Sequence, residues 1–205
     1  MLNSFWWGRR SDDTRSINRL SWDKTCIPQK FGGLGFRDFT AFNVAMLGKQ
    51  GWRLVSKPTS LVNRIFKAKY YPKGEFMEAQ LGNAPSFVWR SIWHSQLVLQ
   101  KGLRWKVGDG RLINIWRDPW LREDCNFNLE TPVIPNLRHL TVHDLLDPHS
   151  RTWNMELIDR TFSSRDRAYI LNLPPPLDSG PDRLIWHWSH NGIYTVKSSY
   201  TVILD

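Results

Sequence analysis

An α+β fold, mostly helical with two β-hairpins, is predicted by three features of this 205-residue sequence. Apolar residues recur at helical spacing in three stretches between positions 40 and 100, and the period shortens to two around residues 103–116 and 184–196. Each change of period is marked by glycine, proline or asparagine. Hydrophobic residues make up 41% and charged residues 23%, a balance that fits a packed core and excludes wholesale disorder.

Residues 21–36 carry Trp22 and then the turn-rich run Pro28-Gln29-Lys30-Phe31-Gly32-Gly33-Leu34-Gly35-Phe36, whose glycines suit positive φ or close backbone approach. The run lacks both the Gly-Lys-Ser/Thr ending of a phosphate loop and the spacing of a dinucleotide fingerprint. Thr40 suits the N-cap of a helix to about Ser56, with Val44, Leu47, Gly48, Gly51 and Val55 on its core stripe and Pro58 beyond its end. Ser60 opens a second helix, with Leu61, Val62, Ile65 and Phe66 toward the core and Arg64 and Lys67 away from it, so that the pair forms a basic helical hairpin. Ser86 caps a third helix through about Gln100, apolar through Trp89, Ile92, Trp93 and Leu97, with Gly102 placed for a left-handed end.

Leu103, Trp105 and Val107 then alternate with Arg104 and Lys106, and Gly108-Asp109-Gly110 leads into residues 111–116, where Leu112, Asn114 and Trp116 alternate with Arg111, Ile113 and Ile115. This is the first predicted hairpin. Glu123 to Pro135 reads as a linker, short helical patterns follow at 141–146, 154–161 and 165–172, and Pro174-Pro175-Pro176 stops any helix. The second hairpin joins residues 184–188 to 193–196 around Asn191-Gly192, and Ser198 caps a last helix of roughly two turns. Three regions are expected: 1–122, basic and helical with a hairpin; 123–180, linker and short helices; and 181–205.

Charge divides unevenly. Residues 1–110 hold 18 Lys and Arg against 7 Asp and Glu, whereas residues 111–205 hold 10 against 12. Residues 39–74 contain no acid, yet Lys49, Arg53, Lys57, Arg64, Lys67, Lys69 and Lys73 fall there. Such a field favours a polyanion, RNA or DNA met through its phosphates with little specificity, and these seven residues are the candidate nucleic-acid contacts. The alternative is a solvated helix surface whose acidic complement lies elsewhere in the fold.

Twelve tryptophans offer two readings, since Trp52-Arg53, Trp89-Arg90, Trp105-Lys106 and Trp116-Arg117 each place a cation beside an indole. Exposed, such pairs stack bases and grip phosphates; buried, they put indole in the core and charge on the surface. No catalytic constellation is visible. Asp12-Asp13 lies in a polar run without the flanking hydrophobic strands of a polymerase hairpin. His139 and His143 are four apart, with Cys125 and His149 nearby, but no CxxC or second close pair completes a zinc site. His187 and His190 flank the Asn191-Gly192 turn on the same terms. No cofactor and no metal ligand are expected.

The two cysteines, Cys26 and Cys125, form no disulfide framework, which suits a reducing compartment. No apolar run approaches the roughly 20 residues of a membrane span, and the first residues lack signal-peptide order, so no membrane partner is expected.

The order Phe5-Trp6-Trp7-Gly8, Ser21-Trp22-Asp23-Lys24 with Cys26, and Gly32-Gly33-Leu34-Gly35-Phe36-Arg37 resembles plant LINE-type (non-LTR) retrotransposon reverse transcriptases. The likeness continues through Phe42-Asn43, Trp52-Arg53, Lys69-Tyr70, Trp89-Arg90-Ser91, Gly108-Asp109-Gly110 and Trp116-Arg117-Asp118-Pro119-Trp120. Near the end, Asp182, Trp186, Gly192, Tyr194, Val196-Lys197-Ser198 and Tyr200 resemble the start of that family's zinc-binding region. The chain also resembles plant mitochondrial open reading frames derived from such elements.

The resemblance implies a fragment of a larger polyprotein, with the polymerase motif upstream, the zinc cluster downstream and flanking domains as partners. Residues 1–122 would be its thumb or connection-like part and 181–205 the truncated opening of its zinc-binding domain. No catalytic or zinc-binding residue of the family maps onto a position of this sequence, so the chain is expected not to be an enzyme. Purified protein is therefore expected to show no primer extension and no RNA cleavage with magnesium or manganese. Magnesium-dependent synthesis that disappears in an Asp12→Asn, Asp13→Asn variant would overturn that expectation.

Overall fold

The computed structural model describes residues 20–122, 126–147, 150, 152–175 and 180–204. Phe5-Trp6-Trp7-Gly8, Asp12-Asp13, Cys125 and His149 lie outside them. The helices are α1 (Trp22–Cys26), α2 (Phe39–Ser56), α3 (Leu61–Tyr70), α4 (Phe87–His94), α5 (Gln96–Gln100), α6 (Met155–Thr161), α7 (Ser164–Leu171) and α8 (Val196–Leu204). The strands β1 (Leu103–Lys106) and β2 (Arg183–Trp186) pair antiparallel, so the fold is α+β and mostly helical.

Side-chain caps set most helix starts. Ser60 and Ser86 accept from Asn63 N at 3.3 Å and Trp89 N at 3.2 Å, as expected. For α2 the cap is Asp38 and not Thr40: one carboxylate oxygen accepts from Thr40 N at 2.8 Å and Ala41 N at 3.0 Å, and its charge complements the positive helix end. Thr195, and not Ser198, caps α8 by accepting from Ser198 N at 3.1 Å. The expected third helix is two, because it breaks at buried Ser95, whose hydroxyl donates to Ile92 O at 2.6 Å. Gly102 is not left-handed; a Cβ there would stand 2.5 Å from Trp188 and 2.6 Å from Trp186, so glycine is required by close approach.

The first core gathers Trp52, Phe76, Trp89, Leu99, Leu103, Trp186 and Tyr194. The buried stripe of α2 is smaller than the sequence suggested: Ala41, Ala45, Gly48 and Gly51 with Trp52 and Leu54, while Val44 and Val55 are partly buried. Small residues let α8 and the Tyr194 ring approach the helix backbone. A Cβ on Gly48 would meet the Tyr194 hydroxyl at 2.1 Å, and one on Gly51 would meet Ser95 Oγ at 2.5 Å. The Tyr194 hydroxyl donates to Ala45 O at 2.8 Å and lies 2.5 Å from Ser199 Oγ. Burial pushes this phenol up to about 12, against the opposing bond to Ser199.

Neither hairpin forms as expected. β1 pairs with β2 across the chain, in the register Leu103↔Trp186 to Lys106↔Arg183, and residues 113–115 bond instead to 140–142 through Val142 N to Ile113 O and Ile115 N to Leu140 O. The cause is Asp182, whose carboxylate accepts from Gly108 N at 2.7 Å, Gly110 N at 2.9 Å and Leu112 N at 2.9 Å. Three backbone donors held by one buried anion turn the chain away from β1, helped by left-handed Gly110 at φ 74°. At Asn191-Gly192 the chain does turn, closed by Trp186 N to Gly192 O at 2.7 Å, but residues 193–195 form no return strand.

The second core holds Ile113, Ile115, Trp120, Leu145, Trp153 and Ile158 beneath α6 and α7. The patterns at 154–161 and 165–172 are α6 and α7, whereas 141–146 is a short 3-10 turn boxed by Thr141 and Asp144. Fully buried Asp166 ties this region together, accepting from Thr131 N, Thr131 Oγ1, Glu130 N and Arg165. Burial alone would raise its carboxyl, yet the bonds from Thr131, Glu130 and Arg165 outweigh burial and hold it below the usual carboxylate range.

Gly48→Ala is expected to destabilise the protein by about 1–3 kcal/mol through overpacking. Thermal melts of Gly48→Ala, Tyr194→Phe and the double variant form a cycle in which removing the phenol oxygen relieves part of the alanine's effect. Strict additivity of the two shifts would show that the contact does not limit this packing.

Candidate nucleic-acid interface

The seven predicted cations do not form one face. Lys49 is half-buried, and its Nζ donates to Tyr194 O at 2.6 Å while standing 5.9 Å from that ring, so its charge is committed to the first core. Arg53 is exposed and donates to Gln50 Oε1 at 3.1 Å, and Lys57 is exposed at the end of α2 one turn further on. On α3, Arg64 and Lys67 share one flank and Lys69 falls on the other, at about 100° per residue. Lys69 Nζ sits 5.2 Å from the Tyr70 ring centroid. Lys73 is exposed in the loop after α3.

The apolar stripe of α3 is a correction to the expected orientation. Leu61, Val62 and Ile65 are exposed, and the buried side is Asn63 with half-buried Phe66 and Tyr70. Asn63 decides the rotation. Its Nδ2 donates to Pro58 O at 2.9 Å, its Oδ1 accepts from the Tyr71 hydroxyl, and Tyr70 stacks on Trp89 at 4.5 Å on the same side. Burial pushes the Tyr71 phenol up to about 12.

The tryptophan pairs follow the buried reading. Trp52 and Trp89 lie in the core, Trp105 and Trp116 are half-buried, and Arg53, Arg90, Lys106 and Arg117 beside them are exposed. Their indole N–H groups are occupied where it matters: Trp89 donates to Leu81 O at 3.1 Å and Trp116 to Leu137 O at 2.8 Å. Trp52 and Trp89 therefore offer no stacking platform.

Arg90, named in the sequence only as the cation of the Trp89-Arg90 pair, lies outside the seven candidate contacts. It is exposed one turn beyond Ser86, whose hydroxyl bonds to Tyr70 at 2.8 Å, so it borders the Lys69 end of α3. The available signal was the second acid-free stretch, residues 79–108. Below α3 a cleft of about 770 Å³ opens toward the second core, with Lys67, Tyr71, Phe76, Trp105 and Arg117 in its wall. Glu75, Glu78, Asp118 and Asp182 also line it, so cations face acids there and the cleft is not a phosphate channel.

His143 Nδ1 lies 3.2 Å from Asp109 O, and His139 accepts from Arg138 Nε at 3.1 Å. Among the described residues no group of three or more His, Cys, Asp or Glu side chains is placed to hold a metal ion. No described helix is long and apolar enough to cross a membrane.

Fold and surface together define a two-core, mostly helical α+β protein that carries an exposed cationic rim on α2, α3 and the start of α4. Two Arabidopsis thaliana proteins are similar to it. Over 135 residues the chain is 37% identical to the uncharacterized mitochondrial protein AtMg00310, covering 65% of this chain and 83% of that one. Over 210 residues it is 30% identical to the putative ribonuclease H protein At1g65750, covering 99% of this chain and 33% of that one. The chain therefore belongs to the family of AtMg00310, and it spans a third of the length of At1g65750. No family model and no solved structure matches.

Lys49→Met is expected to lower the melting temperature by several degrees, because Tyr194 O loses a charged donor worth about 1.5–3 kcal/mol. It should leave the salt dependence of any nucleic-acid binding unchanged. A shallower salt slope without loss of stability would return Lys49 to the interface.

Proposed function

We propose that the chain is a non-catalytic segment of a retroelement-derived protein that binds nucleic acid through phosphates. In the terms of the resemblance it lies between the polymerase active site and the zinc cluster of a LINE-type reverse transcriptase. The observation that carries the reading is the acid-free run of residues 39–74, in which Arg53, Lys57, Arg64, Lys69 and Lys73 stand in solvent with no acid on either helix to neutralise them. A relative whose name denotes a ribonuclease H, matched here over a third of its length, adds support from a setting among nucleic-acid enzymes. Phosphate contacts made by mobile lysines and arginines give affinity with little sequence preference.

A second reading is favoured by a different observation. Leu61, Val62 and Ile65 are 68%, 57% and 57% exposed on α3, and an apolar stripe of that kind suits a flanking domain packed over the helix. The chain would then be a connector, with the basic residues at the rim of the contact.

Binding to single-stranded RNA across a salt series separates the two. With about four to six phosphate contacts, log affinity should fall against log salt with a slope of roughly −3 to −4, shallower by about 0.7 for each charge removed. Arg53→Gln, Arg64→Gln and Lys69→Gln together should weaken binding to all sequences alike. Absence of binding at low salt, or a triple variant that binds as tightly as the parent, rejects the phosphate reading.

A further inference from the structure

The two-stranded sheet presents a second cation cluster, on elements unrelated to the rim on α2 and α3. In an antiparallel pair, directly opposed residues point to the same side, and so do residues two apart. The register Leu103↔Trp186 and Trp105↔Leu184 accounts for one side, which faces the cores. The other side therefore carries Arg104, Lys106 and Arg183, with Ile185 as their only apolar companion.

Arg104 differs from its neighbours. Lys106 and Arg183 are exposed, but Arg104 is half-buried, and its Nε is fully buried with no hydrogen-bond partner among the described residues. A guanidinium donor shut away from water without an acceptor is costly, and folded proteins rarely leave one so. No acid meets it. The charge that bears on it is another cation: the segment holding Arg122 runs beside β1 through Trp105 N to Pro119 O at 2.7 Å, and burial followed by the Arg122 charge holds the Arg104 guanidinium below its ordinary value. Two guanidiniums held near one another, one of them desolvated, make an arrangement that an anion relieves.

We propose that Arg104, with Arg122, Lys106 and Arg183, forms a binding site for a phosphoryl group. With Nε closed off, the two terminal nitrogens at the planar end of Arg104 are the pair it offers, a geometry that matches two oxygens of a tetrahedral phosphate. Arg122 and Arg183 supply charge from flanking positions. This site goes beyond the proposed nucleic-acid rim and does not depend on it, because none of its four residues lies on α2, α3 or α4.

Nitrogen–proton NMR of the arginine side chains in the intact protein, titrated with inorganic phosphate, tests the proposal. The Arg104 Nε–H resonance should shift saturably, with a dissociation constant on the order of millimolar. Arg122→Gln, at an exposed position, should weaken binding about tenfold, the effect of losing one charged contact. Arg104→Lys keeps the charge but removes the fork and should abolish the site. An Arg104 resonance unmoved by phosphate overturns the proposal, as does an Arg104→Lys or a folded Arg122→Gln protein that binds phosphate as tightly as the parent. Where the site holds, a short single-stranded RNA that displaces phosphate identifies the phosphoryl group as nucleic-acid backbone, whereas phosphate retained beside bound RNA identifies a free phosphate or nucleotide ligand.

Discussion

Tyr194 meets α2 where Ala45 and Gly48 leave no side-chain volume, and the rest of the first core is arranged around that contact. Its ring tilts against Trp186 at 4.7 Å and stacks over Trp52 at 6.2 Å, while its hydroxyl bonds Ala45 O and its carbonyl accepts from Lys49. One residue near the end of the chain thus satisfies a helix carbonyl, orders a lysine and fills the space between α2 and α8. Because interiors are close-packed, a side chain on Gly48 would displace the ring and everything resting on it. The segment around Tyr194 is consequently part of the first core, and the β1 to β2 pairing just before it ties that segment to the middle of the sequence.

Two buried carboxylates organise the remainder. Asp182 gathers three backbone donors of the 108–112 loop, and Asp166 gathers the 130–131 loop against α7. Loops expose more peptide groups than they can pair among themselves, and a buried anion satisfies several at once. Both acids lie in the half of the sequence where acids outnumber bases.

Burial of the tryptophans narrows what the basic surface can do. With Trp52 and Trp89 in the core and Trp105 and Trp116 half-buried with exposed cations beside them, affinity for nucleic acid would rest on phosphate contacts more than on stacking. Lys49 and Lys67 also leave the rim, the first tied to Tyr194 and the second turned toward the acid-lined cleft. The sheet-borne cluster around Arg104 differs in kind, since desolvation gives a guanidinium a defined direction that a solvated lysine lacks.

Local chemistry was legible from residue order alone. Ser60 and Ser86 cap their helices, α2, α3, α6 and α7 lie where helical patterning placed them, and the indole-cation pairs carried both of their possible readings on their face. What tertiary structure decided was every choice between equivalent local solutions. The alternating run at 103–107 needed a partner strand, and nothing local distinguishes residues 112–116 from 183–186 until Asp182 bends the intervening loop away. The rotation of α3 was open because its two sides compete, three aliphatic residues against Asn63 and two rings, and the contacts to Pro58, Tyr71 and Trp89 outweighed the aliphatic stripe. Periodicity identifies an element and its amphipathic pattern; which side is buried, and which distant segment covers it, depends on hydrogen bonds and packing that exist only once the chain has closed on itself.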